Sequence, residues 1–226
     1  MASPMQIGVI TFCVPECFRQ WSKRSSAVAE RLLTLVRHGQ TAANAQNLLQ
    51  GHVNHPLDDI GRAQVSLLGG ALQKIAPVDR IIASPLLRAQ QTAQAITQGL
   101  TRSIEVETDP RWIELNYGDF DGQPVSSVSA QQWATWRTDE HFRPPHGETL
   151  AELSVRVHEA IEDLLNNTEH SHIVVVSHVS PIKAAVAWAL GVGVNVSWRT
   201  ALDRASMTTV RLDAKHPALK TFNVTL

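Results

Sequence analysis

The sequence predicts an α/β fold: a three-layer sandwich with a mostly parallel central sheet and helices on both faces. Short apolar runs, several rich in β-branched residues, alternate with stretches whose apolar residues recur at helical spacing. The runs are continuous rather than alternating, as strands buried on both faces are. No internal repeat or low-complexity tract interrupts that order from Arg31 onward, so one α/β domain is expected.

Each element follows from a local pattern. Leu32–Val36 is a continuous apolar, β-compatible run. Asp58–Ile75 reads as one helix with Asp58 as its N-cap. Asp79–Ala83 is a second short buried strand. Ser84-Pro85 behind it reads as N-cap and first helical position of a helix running to about Gly99. Ile104–Glu107 is a weaker strand. Trp133–Arg137 and Thr149–Asn166 read as helices, the second capped by Thr149. Ile173–Ser177 is the strongest strand signal of the chain, with its apolar residues all β-branched. Ser180-Pro181 repeats the cap-and-proline device and opens a helix to about Leu190. Met207–Leu212 and Thr221–Thr225 alternate or nearly so, as edge or antiparallel strands do. The expected domain is 31–226, with 118–147 as a lid inserted over one end of the sheet.

Bulk properties narrow the function. A chain of 226 residues suits one well-buried domain. With 20 Lys and Arg against 21 Asp and Glu, it lacks the basic excess that nucleic acid or an anionic membrane surface demands. A small local anion site would vanish in that total. No apolar run approaches the length of a membrane span. Cys13 and Cys17 are too few and too close for a disulfide framework, and no histidine joins them at zinc-ligand spacing. A cytoplasmic setting is therefore expected. In residues 1–30 the apolar run Ile7–Val14 precedes Arg19, Lys23 and Arg24, the reverse of a secretory signal. This segment reads as an extension of undefined order, or an overlong start-site choice, without visible chemistry.

Chemistry gathers at the strand ends, where open α/β sheets bind ligands. The first strand runs into Arg37-His38-Gly39, the second is followed by Arg88 in the first turn of its helix, and the strongest ends in Ser177-His178. Two arginines and two histidines would converge beside helix N-termini that already favour an anion. A phosphate monoester asks for this set. Guanidinium forks match its oxygens, a neutral imidazole attacks phosphorus, and a carboxylic acid protonates the leaving alkoxide.

Leu35-Val36-Arg37-His38-Gly39-Gln40-Thr41 with Asn44 resembles the signature of the histidine phosphatase superfamily, which includes the cofactor-dependent phosphoglycerate mutases. Further matches follow in order: Pro56-Leu57, Gly61-Arg62-Ala63-Gln64, Ala83 to Ala93, Glu114 to Gly122, Gly147-Glu148-Thr149 and Val176-Ser177-His178. The resemblance covers about Arg31 to Leu212. It implies a phosphoglycerate mutase-like fold, no metal and no cofactor, with His38 as the phosphorylated nucleophile. It makes Arg37 and Arg88 phosphate clamps, Asn44 a phosphate-side donor and His178 the second histidine of the pocket. Glu114 is implied as the general acid and, in the second half-reaction, the base. Val179-Ser180 stands where the family usually has a Gly-Gly pair; the change matters little if backbone amides make the contact there, and alters the pocket if close approach needs glycine. Ser180-Pro181-Ile182-Lys183 is similar to phosphatase domains of actinobacterial type, including ones linked to α-ribazole phosphatase activity.

The resemblance admits three readings: a phosphomonoesterase, a phosphoglycerate mutase-type isomerase, or a non-catalytic phospho-ligand binder. Family mutases carry an arginine after the glutamate and a long basic insertion. Here Leu115 follows Glu114, and 118–147 is short, with Arg137 and Arg143 as its basic residues besides histidine. Hydrolysis of a small-molecule phosphomonoester is therefore the expected activity, with α-ribazole phosphate as one substrate to weigh. A homodimer is left open. The other histidines, His52 and His55 included, carry no expected role, the aromatic residues of 118–147 read as lid core, and Glu148 reads equally as substrate contact or first-turn residue.

Overall fold

The two most apolar runs lie side by side at the centre of the sheet in the computed structural model, which describes residues 30–167 and 169–226. The reading of residues 1–30 therefore lies, Glu30 apart, outside the described residues. Strand β1 (Leu32–Arg37) pairs in parallel with β4 (His172–Ser177), in a register that sets Arg37 opposite Ser177. β2 (Arg80–Ala83) runs parallel to β4, and β3 (Val106–Thr108) parallel to β2. On the other side β5 (Met207–Arg211) and β6 (Ala218–Val224) add antiparallel strands, giving the order β3-β2-β4-β1-β5-β6. The carboxyl ends of β1, β2 and β4 thus share one edge.

Seven helices are described: α1 (Ala42–Ala45), α2 (Asp59–Val65), α3 (Leu68–Ile75), α4 (Leu87–Gln98), α5 (Ala130–Thr138), α6 (Leu150–Asn166) and α7 (Val179–Leu190). Because strand side chains alternate, Leu33, Leu35, Ile173 and Val175 point to one face and Val36, Val174 and Val176 to the other. The first set packs with Leu153, Val157 and Ile161 of α6 and Ile182 and Ala185 of α7. The second packs with Val65 of α2, Leu68 and Leu72 of α3, and Ala89, Ala93 and Ile96 of α4. The three expected layers are present, and Arg31–Leu226 is one compact unit.

Two sequence expectations need correction. The single helix expected over Asp58–Ile75 is two, α2 and α3. Asp58 caps the first as read, accepting from Gly61 N at 2.7 Å. The break falls at Ser66, whose hydroxyl donates back to the Ala63 carbonyl at 2.8 Å and competes with the helix ladder. Neither cap-and-proline device acts as one. α4 begins at Leu87, and its first amide donates to Asn54 Oδ1 at 2.6 Å. α7 begins at Val179 with His178 at its N-cap position and Pro181 inside its first turn. Distant side chains cap both helices, and Ser84 Oγ, besides accepting from Leu86 N at 3.3 Å just ahead of α4, meets His178 Nε2 at 2.7 Å.

Candidate active site

His38 leaves β1 pinned at both ends. Its amide donates to Ser177 O at 3.1 Å, and its carbonyl accepts from Ala205 N at 3.1 Å. Ring Nδ1 lies 2.7 Å from the Gly39 carbonyl oxygen. A carbonyl cannot donate, so Nδ1 carries the proton and Nε2 presents the lone pair. Burial, and then the charges of Arg88 and Arg37, hold the ring's pKa well below the ordinary histidine value. The result is a neutral imidazole with a fixed tautomer. Gly39 and Gly61 allow the close packing behind it: a Cβ on Gly61 would meet Gln40 O at 2.1 Å, and one on Gly39 would meet Gly61 O at 2.6 Å.

Arg88 is fully buried and donates to three carbonyls of one loop: Gln50 at 3.3 Å, Gly51 at 2.7 Å and Val53 at 2.9 Å. Its Nε donates to His178 Nδ1 at 3.2 Å, so His178 Nε2 bears the proton and donates to Ser84 Oγ at 2.7 Å. The His178 and His38 ring centroids are 5.1 Å apart. Both nitrogens of His178 have protein partners, and the ring visibly orients Arg88. Burial foremost also depresses the His178 pKa, followed by Arg88 and His38. Arg37 donates to Leu202 O at 2.5 Å, while its buried Nε has no protein partner. Burial lowers Arg37 and Arg88 each to about 10, against the pull of Glu114, so both stay cationic at neutral pH.

Glu114, 4% exposed, meets this group from the side of α7. Oε1 accepts from Leu115 N at 2.8 Å and Ser180 N at 3.1 Å, and Oε2 from Val179 N at 3.1 Å. The carboxylate thus caps α7 through the two amides that the Val179-Ser180 departure involves, and the side chains there leave that contact intact. Arg156 fixes the backbone behind it, donating to Ile113 O at 2.8 Å and Glu114 O at 3.2 Å while paired with Glu148 at 2.7 Å. Glu148 is thereby a scaffold residue.

The structure therefore brings Arg37, His38, Arg88, Glu114 and His178 to one edge. Asn44 has a different visible use: Oδ1 accepts from Thr41 N at 3.3 Å in a capping box, and Nδ2 donates to Gln50 Oε1 at 3.3 Å. Sequence reasoning missed four residues. Gln50 carries a buried Nε2 without a protein partner. Asp121 accepts from Gly51 N, His52 N and Val53 N at 2.7, 2.7 and 2.8 Å and so holds the loop that holds Arg88. Arg204 donates to Gln40 Oε1 and Asn44 O at 3.0 and 3.2 Å. Ser84 was read only as a cap. His52, expected to be idle, lies 3.0 Å from Glu114 O through Nε2. Asp121 falls within the quoted Glu114–Gly122 match, which was its one available signal. His146 lies exposed beside Asp119. His172 is a satisfied core histidine between Thr34 Oγ1 and Ala76 O. Among the described residues no cluster of His, Cys, Asp and Glu is placed to hold a metal ion, and no helix is long and apolar enough to cross a membrane.

The family model of the histidine phosphatase superfamily (branch 1) matches residues 33–225. The chain belongs to that superfamily. A relative from Yersinia pestis named "Probable phosphoglycerate mutase GpmB" is 34% identical over 181 residues, 78% of this chain and 82% of its own. Among solved structures, the mycobacterial glucosyl-3-phosphoglycerate phosphatase Rv2419c aligns with a TM-score of 0.77 at 26% identity, covering 86% of this chain and all of that one. The α-ribazole phosphatase from Shigella flexneri aligns with a TM-score of 0.75 at 27% identity, covering 85% and 96%. The chain spans about half the length of the mycobacterial relatives it matches at 31% identity. The TM-scores show that these structures share the overall fold found here.

Proposed function

We propose that the chain is a metal-independent phosphomonoesterase acting through a phosphohistidine at His38. The observation that carries this reading is the state of the His38 ring: neutral, with Nδ1–H donated to Gly39 O and Nε2 left as the lone-pair nitrogen, under the positive charges of buried Arg88 and half-buried Arg37. In the first step Nε2 attacks phosphorus and the ester oxygen departs. Arg37 and Arg88 hold the equatorial oxygens throughout, and Glu114 gives the departing alkoxide its proton. In the second, Glu114 takes a proton from water as that water attacks phosphorus, which returns free phosphate and neutral His38. His178 positions Arg88; donation from its Nε2 to phosphate requires release from Ser84.

The lid favours hydrolysis over isomerisation. Arg143 is engaged by Glu152 and the Gly147 carbonyl, and the Arg137 guanidinium lies 5.7 Å from the Trp133 ring centre. Both basic residues of the lid are thus held by neighbouring lid and helix groups. Release of phosphate from p-nitrophenyl phosphate in chelator-treated buffer tests the reading, with loss of at least a thousandfold expected in His38→Ala. Undiminished release in that variant rejects the nucleophile. Glu114→Gln is expected to slow alkyl esters more than p-nitrophenyl phosphate, since only poor leaving groups need the acid; equal slowing denies it that role. Interconversion of 2- and 3-phosphoglycerate exceeding phosphate release establishes the mutase reading instead. α-Ribazole phosphate belongs in the same panel.

A further inference from the structure

Antiparallel pairing of β1 with β5, with Val36 opposite Met207, sets the residues that precede β5 beside those that follow β1. The 202–206 loop therefore runs along the nucleophile turn and bonds to it in sequence. Arg37 donates through Nη1 to Leu202 O at 2.5 Å and through its amide to Ser206 O at 3.0 Å. Ala205 N donates to His38 O at 3.1 Å. Ala205 makes that bond from the left-handed region, at φ 54°, which L-residues seldom adopt and which persists only where the surroundings impose it. Arg204 extends the contact past His38. Its Nη1 donates to Gln40 Oε1 at 3.0 Å and its Nη2 to Asn44 O at 3.2 Å, so one planar fork bridges Gln40 and Asn44.

The groups that Arg204 grips are tied further into the site. Asn44 Nδ2 and Thr41 Oγ1 both donate to Gln50 Oε1, at 3.3 and 2.8 Å, and the Gln50 carbonyl accepts from Arg88. Gln40 Nε2 donates to Oδ2 of Asp58, the N-cap of α2, at 3.1 Å. The loop itself is clasped by Asn223 of β6. Asp203 N donates to Asn223 Oδ1 at 2.6 Å, and Asn223 Nδ2 donates to Asp203 Oδ2 at 2.8 Å. Arg204 is half-buried, and both arms of its fork end on neutral oxygens. Its charge also reaches the nucleophile: after burial, Arg88 and Arg37, it is a further cause of the low His38 pKa.

We propose that Arg204 is a positioning residue for phosphoryl transfer: its grip on Gln40 and Asn44, anchored by the Asp203–Asn223 clasp, holds the turn that carries His38 so that Nε2 meets phosphorus in line. The proposal rests on the phosphatase reading above. The fork is the working part, because an ammonium cannot span both acceptors.

Arg204→Met, Arg204→Lys and Asn223→Gly test it, with His38→Ala as the blank. Each variant is measured with p-nitrophenyl phosphate and with two competitive inhibitors. Inorganic phosphate is a tetrahedral ground-state anion; vanadate adopts the five-coordinate geometry of in-line attack. A misaligned nucleophile weakens transition-state binding more than ground-state binding. Arg204→Met is therefore expected to lose about tenfold in kcat/KM and in vanadate affinity, with phosphate affinity held within about threefold. Arg204→Lys keeps the charge and a single bond, and is expected to fall between Arg204→Met and the wild type. Asn223→Gly suits the left-handed φ of 55° at that position and removes the clasp; the same vanadate-to-phosphate split is expected, smaller in size. The ratio of the inhibition constants is internal to each variant and insensitive to the fraction folded. Equal loss of both affinities, full recovery in Arg204→Lys, or a wild-type ratio in Arg204→Met or Asn223→Gly overturns the positioning role while phosphate release stands. Absence of release from the wild type, or release persisting in His38→Ala, defeats the phosphatase reading and the positioning role with it.

Discussion

His38 and His178 are both fully enclosed and both hold pKa values well below the ordinary histidine value, burial being the first cause for each. The depressed value has a thermodynamic consequence. In the unfolded chain each ring takes a proton as pH falls through about 6.5, while the folded protein does not. Their contribution to stability is therefore complete above pH 6.5 and shrinks as pH falls toward the folded values, by roughly 1.4 kcal/mol per pH unit for each ring. Urea midpoints between pH 7.5 and 5 are expected to drop with that steepness, and His38→Asn to flatten the slope by about one ring's share; an unchanged slope refutes the assignment. At this scale the sequence was unusually readable. Arg37, His38, Arg88, Glu114 and His178 sit in motifs long enough to name them individually. Gln50, Asp121 and Arg204 were not readable because their contacts, to Arg88's loop and to Gln40, exist only after folding.

The elements that aim these residues are fixed from afar. Asn54 caps α4 across 33 positions, and Glu114 caps α7 across 65. Local Ser-Pro pairs suggested caps of their own, so the start of each helix was misplaced by a few residues although its existence was not. The Thr149 cap is the contrast: it was read from the sequence, and the capping box it forms with Glu152 lies within one turn. The Gly51–Val53 loop shows what such remote support does. Asp121→Ala leaves three amides without their carboxylate and unseats the carbonyls around Arg88. Lower stability by about 1–3 kcal/mol is expected, together with about a tenfold loss in kcat/KM. Asp121→Asn, which keeps one acceptor oxygen, falls between. Thermal denaturation and p-nitrophenyl phosphate kinetics measure both, and an unaffected kcat/KM removes Asp121 from the support of Arg88.

For the whole molecule, the layers and the parallel core of the sheet followed from continuous apolar runs, whose burial on both faces leaves little choice of architecture. The strand order, with β1 between β4 and β5, and the aromatic cluster joining Trp133 and Trp136 to Trp198 did not, because nothing local in those segments encodes their partners. Since Arg31–Leu226 is one compact unit and the family match spans 33–225, a chain starting at Glu30 is expected to fold and to keep its phosphatase rate within about twofold, near the ±0.5 kcal/mol of a neutral change. Collapse of that rate makes the preceding residues part of the working enzyme. The Glu114 carboxylate ties helix and reaction together over time. The oxygens that would trade a proton with alcohol and water are also the end-stop of α7, so each proton uptake would weaken the acceptor facing Val179 or Ser180. On the proposed mechanism the opening turn of α7 would loosen and tighten once per catalytic cycle, and a trapped phosphoenzyme would exchange those two amide hydrogens at a different rate from the resting protein.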